Sequence, residues 1–232
     1  MAQIKLEAKP HPIGIDPTAA VVIVVDMQND FGSKGGLFDH AGVDISSIQN
    51  VVPATGRAIA AARTAGMKVI YLKMGFRPDL SDLGSDDAPN RVRHLHFGVG
   101  QLMKTPGGEQ GRFLVRDTWG TAIVPALTPA SGDIEIWKTR FSGFYETELD
   151  ATLKKLGAIQ LIFTGCTTSI CVESTVRDAM FRDYQCVLLR DCMAEPIGEK
   201  LSRTNHEASL LTIEMLFGWT ASSRDFVKSL TA

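Results

Sequence analysis

A chain of 232 residues, 44% hydrophobic and 22% charged, is long enough for one large globular domain with a real core, and a single domain over 1–232 is expected. Its formal net charge of -2 is spread over interspersed acidic and basic residues, which speaks against the broad cationic face that nucleic acid or an anionic membrane requires and leaves a small neutral or anionic partner. The N-terminal stretch has no apolar core of signal-peptide type and no run approaches membrane-spanning length. Four cysteines without CxxC spacing fit a reducing compartment, so a cytoplasmic protein is expected.

Beyond an N-terminal extension, residues 1–18, the first apolar run is "AAVVIVVD", Ala19–Asp26. A segment rich in Gly and Asp follows, from Met27 to about Gln49, and Gly66 sits where a helix should stop. The second run is "MKVIYLKM", Met67–Met74. After it, from Gly75 to about Pro129, comes a stretch rich in Gly, Pro, Asp and Arg, too long for a simple connection. "DIEIWK", Asp133–Lys138, is the third run. Leu149, Leu153 and Leu156 then repeat at helical spacing before Gly157, another helix stop. "IQLIFTG", Ile159–Gly165, leads through a polar turn into a second helical pattern at Val172, Val176, Ala179 and Met180. "QCVLLRD", Gln185–Asp191, comes next, with a sixth strand expected near Glu214–Trp219 and a last helix over Ser222–Leu230. Continuous apolar runs read as strands buried on both faces, so the pattern predicts an open, doubly wound α/β fold with a parallel sheet. Long insertions after strand ends in such a sheet build the ligand site.

Ligands bind beyond the carboxyl ends of parallel strands, so the residues ending each run carry the functional signal. They are Asp26, Lys138 and, one turn further on, Cys171. A carboxylate after "VVIVV" needs a cation or a proton if it is buried, and the lysine after "IEIW" has the opposite need. Paired, they would give Cys171 both a base and a positive field. A helix start at Thr167, Thr168 and Ser169 adds the positive end of a helix dipole, so a depressed thiol pKa is expected. Asp26 would accept the thiol proton and return one to a leaving nitrogen, which outlines acyl transfer through a thioester. Cys166, Cys186 and Cys192 read as structural, and no GxGxxG turn or P-loop supports a nucleotide-binding alternative.

Three stretches, "VVDMQNDF", "WKTRFSGFYETELD" and "GCTTSICVESTVRDA", resemble in order and spacing the three signatures of the isochorismatase-like cysteine hydrolases, over about Ala19 to Leu230. The resemblance implies a three-layer α/β/α sandwich around a six-stranded parallel sheet and an Asp26-Lys138-Cys171 triad without a cofactor. It also implies a non-proline cis peptide at Cys166–Thr167, which would turn the Thr167 N–H toward that of Cys171 to form an oxyanion hole. Relatives form dimers and tetramers, so a homo-oligomer is implied, with the apolar segment "EMLFGWTASSRDFV" covering a sheet edge or a neighbour.

Within that family "KTRFSGFYETELD", "CVESTVRDAMFRDY" and "FGW" look most like the ureidoacrylate amidohydrolases, and "KGGLFDHAG" and "RPDLSDL" resemble biuret hydrolases. Both imply hydrolysis of a carbamoyl C–N bond in a small ureido substrate. Gln28, Phe31, Phe76, Asn90, Arg91 and Phe141 are the candidate substrate contacts, with Leu37 and Met74 beside them. Phenylalanines stand where a ureidoacrylate pocket is expected to carry tyrosine or tryptophan, and buried polar substrate groups need partners, so a less polar or aromatic amide is the alternative. Arg77, Arg91 and Arg93 are candidates for a substrate carboxylate. His40, His94 and His96 lack the spacing of metal ligands and are read as surface or substrate-contacting, with no catalytic metal expected.

Overall fold

The computed structural model describes residues 4–231. In chain order the elements are β1 (Ile4–Leu6), β2 (Ile13–Ile15), β3 (Ala20–Val25), α1 (Asn29–Gly32), α2 (Leu37–His40), α3 (Ser46–Thr64) and β4 (Lys68–Met74). Then come α4 (Pro89–His96), β5 (Leu102–Lys104), β6 (Gln110–Arg112), β7 (Ile134–Lys138), α5 (Leu149–Lys155) and β8 (Gln160–Cys166). The chain closes with α6 (Glu173–Met180), β9 (Gln185–Ala194), α7 (Asn205–Leu216), β10 (Trp219–Ala221) and α8 (Ser223–Thr231).

Six of these strands form one sheet in the order β10-β9-β8-β3-β4-β7, every neighbouring pair parallel. The continuous apolar runs are explained by burial on both faces. Val22 and Val24 of β3 point into one core with Ile48, Ala58 and Phe226, while Val21, Ile23 and Val25 point into the other with Leu149, Leu153 and Val176. Helices on both faces make the expected three-layer α/β/α architecture. The chain winds outward from β3 through β4 to β7, then returns to the other side of β3 with β8, so the strand order reverses between β3 and β8, where a crevice is left at the carboxyl ends.

The end of the chain departs from expectation. Glu214 and its neighbours belong to α7, which opens with a capping box between Thr204 and Glu207, and the sixth strand starts only at Trp219. Gly218 permits the switch: a Cβ there would lie 2.2 Å from the Cys186 carbonyl oxygen. β9 runs three residues past Asp191, to Ala194. Residues 4–18 are tied to the fold, with Leu6 and Ile15 fully buried and Lys9 exchanging backbone hydrogen bonds with Thr220 of β10. The long stretch after β4 carries α4 and the small β5–β6 hairpin.

Candidate active site

Asp26 leaves β3 in a left-handed turn (φ 50°), its N–H still held by the Leu72 carbonyl. That turn brings its carboxylate to the crevice, where Oδ1 accepts the Met74 N–H at 3.0 Å. Lys138 ends β7, two strands away, and its long side chain crosses over β4 past Met74 Sδ to reach the same point. Its Nζ lies 2.8 Å from Asp26 Oδ2, 3.3 Å from Cys171 Sγ and 3.2 Å from the Arg140 carbonyl oxygen. Lys138 and Asp26 are both about 1% exposed, so the ammonium has exchanged its water for a carboxylate, a sulfur and a carbonyl. The three residues picked out at three strand ends therefore meet in one place.

Cys171 is carried by a wide turn, Thr168–Val172, that has π-helical hydrogen bonding and precedes α6. The Thr167 carbonyl accepts the N–H groups of Ile170 and Val172 and passes over that of Cys171. The Cys166–Thr167 peptide is cis, as the resemblance implies. Gly165, at φ 116°, lets β8 crowd β3 here, since a Cβ would fall 2.0 Å from the Val25 carbonyl oxygen. The hydroxyls expected to cap this turn do not: Thr168 pairs with the His206 ring at 2.9 Å, and Ser169 gives both its N–H and its O–H to the buried Glu195 carboxylate at 2.8 Å and 2.5 Å. Glu195 was not singled out in the sequence. An acid directly ending the apolar run "QCVLLRDCMA", as Asp26 ends "AAVVIVV", is the signal the sequence offers.

A depressed Cys171 pKa does not follow from this geometry. Burial pushes the thiol well up, Lys138 opposes that, and the Asp26 carboxylate adds to it. Burial would also strip the proton from Lys138, but Asp26 and Cys171 outweigh it and raise its pKa above the ordinary lysine value. The resting site is thus an ammonium–carboxylate pair beside a neutral thiol. Burial lifts Cys186 and Cys192 both to about 12, alone at Cys186 and with the neighbouring Asp191 adding to it at Cys192. Cys166 is buried as well, its Sγ 3.2 Å from the Asp26 carbonyl oxygen.

Above the triad lies a cavity of about 300 Å³. Its walls include Phe31, Leu37, Met74, Phe97, Phe141 and Ile197, with Asp26, Cys171 and Thr167 at its base. Of the expected contacts, Phe31 and Phe141 line it. Gln28 is a strut, its amide donating to the Met74 and Thr121 carbonyls and accepting the Met74 N–H. Phe76 lies behind the wall, edge-on to His94 at 5.0 Å. Asn90 and Arg91 do not reach the cavity: Asn90 donates to the Leu83 carbonyl, and Arg91 is taken up by the Leu80 carbonyl and Asp86. The residues of α4 that do line it are Arg93 and His94. The helix presents positions a turn-fraction away from those the sequence suggested, and its phase is not readable from so polar a segment. His40 packs on Phe113, and a separate surface hollow holds His40 and His96.

A family model described as the isochorismatase domain matches residues 20–225. The chain is 40% identical over 229 residues to the ureidoacrylate amidohydrolase RutB of Methylorubrum extorquens, covering 99% of this chain and 90% of that protein. RutB of Methylobacterium radiotolerans is 39% identical over 227 residues, covering 98% and 85%. Among solved structures, the cysteine hydrolase from Pseudomonas syringae pv. phaseolicola superposes with a TM-score of 0.78 at 28% identity, covering 100% of this chain and 98% of that one.

Proposed function

The chain belongs to the isochorismatase family, and from that premise we propose that it is a cysteine amidohydrolase, opening an amide or carbamoyl C–N bond of a small molecule through a thioester on Cys171. The observation that carries this reading is the single Lys138 ammonium lying within 3.3 Å of both the Asp26 carboxylate and Cys171 Sγ at the base of a cavity. Asp26 takes the thiol proton as sulfur attacks the carbonyl carbon. Lys138 keeps its own proton and holds the charge as it moves from carboxylate to sulfur. The N–H groups of Thr167 and Cys171 receive the oxyanion, the first because no protein acceptor takes it among the described residues, the second because the wide turn leaves it off the Thr167 carbonyl. Asp26 returns the proton to the leaving nitrogen, and water then cleaves the thioester. On a ureido substrate the enzyme-bound group is a thiocarbamate, and its hydrolysis gives carbamic acid, which breaks down to carbon dioxide and ammonia.

The RutB relatives favour a ureidoacrylate-type substrate. The cavity favours a second reading, an apolar or aromatic amide, because its walls above the triad are almost wholly hydrocarbon. Biuret, polar over its whole length, suits these walls least. Ammonia release from ureidoacrylate, biuret, N-carbamoyl amino acids, nicotinamide and aryl amides separates the readings, with Cys171→Ser as control and mass spectrometry of the quenched enzyme for the acyl adduct. Turnover that survives Cys171→Ser would overturn the thioester mechanism.

A further inference from the structure

The mechanism leaves two polar side chains of the cavity without a task, Arg93 and His94, and of these only the histidine can accept a hydrogen bond. His94 on α4 is 9% exposed, lines the cavity, and has its ring packed between Phe76, edge-on at 5.0 Å, and Phe141, tilted by 31° at 5.7 Å. Its Nδ1 lies 2.6 Å from the Asn90 carbonyl oxygen. A carbonyl only accepts, so the proton must sit on Nδ1, and in the neutral ring Nε2 is then an acceptor with its lone pair free. Nδ1 is tied back to the helix's own backbone, which leaves Nε2 on the free edge of a ring that lines the cavity. No hydrogen bond to Nε2 is made among the described residues. Around it the walls offer hydrocarbon, and Arg93 is a pure donor. Among the described residues lining the cavity, apart from the triad, the Thr167 hydroxyl and the weakly accepting sulfurs of Met74 and Cys166, His94 Nε2 is the one side-chain acceptor.

We propose that His94 is a specificity residue that accepts an N–H of the substrate's amide or carbamoyl group at Nε2, an inference that rests on the amidohydrolase reading. An amide –NH2 brings two protons into the site and Asp26 is placed to meet only one side of it. Buried donors without partners are costly, so a second acceptor in a hydrocarbon wall discriminates for substrates that carry the donor and against esters and fully substituted amides. The ring must be neutral to do this. Burial, assisted by the Lys138 and Arg140 cations, outweighs the Asn90 carbonyl and keeps its pKa below the ordinary histidine value. Phe76 and Phe141, packed against it, bring no charge, and the charged groups beside it on its own helix, Arg91 and Arg93, are cations. Acidification that protonates the ring would turn the acceptor into a donor and abolish the preference.

Alkylation of Cys171 tests this without knowledge of the natural substrate. Iodoacetamide carries the –NH2, and methyl iodoacetate is a comparable electrophile without an N–H. Rates at Cys171, followed by peptide mass spectrometry and normalised to a free thiol in solution, should favour iodoacetamide by about tenfold in the wild type. His94→Phe should lose that preference. His94→Gln, whose amide can donate to the Asn90 carbonyl and accept with its oxygen, should keep most of it. The preference should fade on acidification in the wild type and be independent of pH in His94→Gln. Equal selectivity in wild type and His94→Phe, with Cys171 still reactive, would overturn the role of His94 while leaving the nucleophile in place. A Cys171 inert to both reagents even above pH 9, where the raised thiol begins to ionise, would remove the cysteine mechanism and the His94 role together.

Discussion

Replacing Lys138 by Met keeps the aliphatic stem across β4 and deletes the charge. Over 2.8 Å, at an effective dielectric constant of about 20, the Asp26–Lys138 attraction is roughly 6 kcal/mol. Both groups have given up hydration to form it, so the net worth of the intact pair is smaller, but removing the cation alone leaves a buried carboxylate uncompensated. The expected loss is about 3–5 kcal/mol. Asp26→Asn alone orphans the ammonium in the same way. The double variant Asp26→Asn/Lys138→Met leaves no charge, and the asparagine oxygen still accepts the Met74 N–H that Asp26 Oδ1 now holds, so most of the loss should return. Urea unfolding at pH 7 gives the four corners of the cycle, and the coupling should exceed about 2 kcal/mol. All three variants should be inactive. A Lys138→Met variant less than about 1 kcal/mol below wild type, or a double variant no better than the worse single one, would refute the buried-pair reasoning.

Because burial holds the Cys171 thiol neutral, its alkylation rate should keep rising through pH 9, and a plateau near pH 7 would contradict that. Glu195→Ala should release the Ser169 N–H and O–H and loosen the nucleophile turn, lowering kcat by about 10- to 100-fold with little change in KM; an unchanged kcat would count against it. Burial raises the Asp30 carboxyl to about 6 against the pull of the Leu114 and Leu37 N–H groups. The native state therefore holds a proton that the unfolded chain releases near pH 4, so stability from this group is greatest below that point and falls as pH rises toward 6, by up to about 3 kcal/mol. Asp30→Asn should flatten the wild-type slope across that window in denaturant titrations. The expected homo-oligomer has an apolar face available on α7, where Leu211, Met215 and Leu216 are exposed. Light scattering should give a dimer or tetramer that Met215→Glu/Leu216→Glu dissociates, and a wild-type monomer would refute the expectation.

The parts of this molecule legible in sequence are those where one residue type has one physical reason to be present. Six residues such as "AVVIVV" in succession have no use outside a strand buried on both faces, and an aspartate or lysine ending such a run has nowhere to go but the crevice. Less legible were features decided by distant partners. Leu210 to Phe217 is apolar enough for a strand, yet the Thr204–Glu207 capping box starts a helix that carries through it. The phase of α4 is set by Phe76 and Phe141 packing on His94, contacts between segments far apart in the chain, so Asn90 and Arg91 were as good a guess as His94 from the letters alone. The Cys171 thiol is raised rather than depressed for the same reason. Proximity to a cation can be inferred from motif order, but burial beside a carboxylate only appears once the layers close over the site.

A thiol kept neutral by burial changes how the site works. A standing thiolate would be a nucleophile for any electrophile that enters, whereas a neutral thiol beside a carboxylate is activated only when the proton has somewhere useful to go. The reacting carbonyl supplies that by drawing charge off sulfur as Asp26 takes the proton, while Lys138, held by the Arg140 carbonyl and the Met74 and Cys171 sulfurs, moves little. Selectivity then has to come from whatever places the carbonyl over sulfur with its oxygen toward Thr167 and Cys171. Hydrocarbon walls orient weakly, because one methylene is worth little discrimination, so the few polar groups of the cavity decide the pose. An acceptor held at a fixed angle between two aromatic rings is suited to that, which is why the rigidity of the His94 environment bears on chemistry at Cys171 without any contact between them.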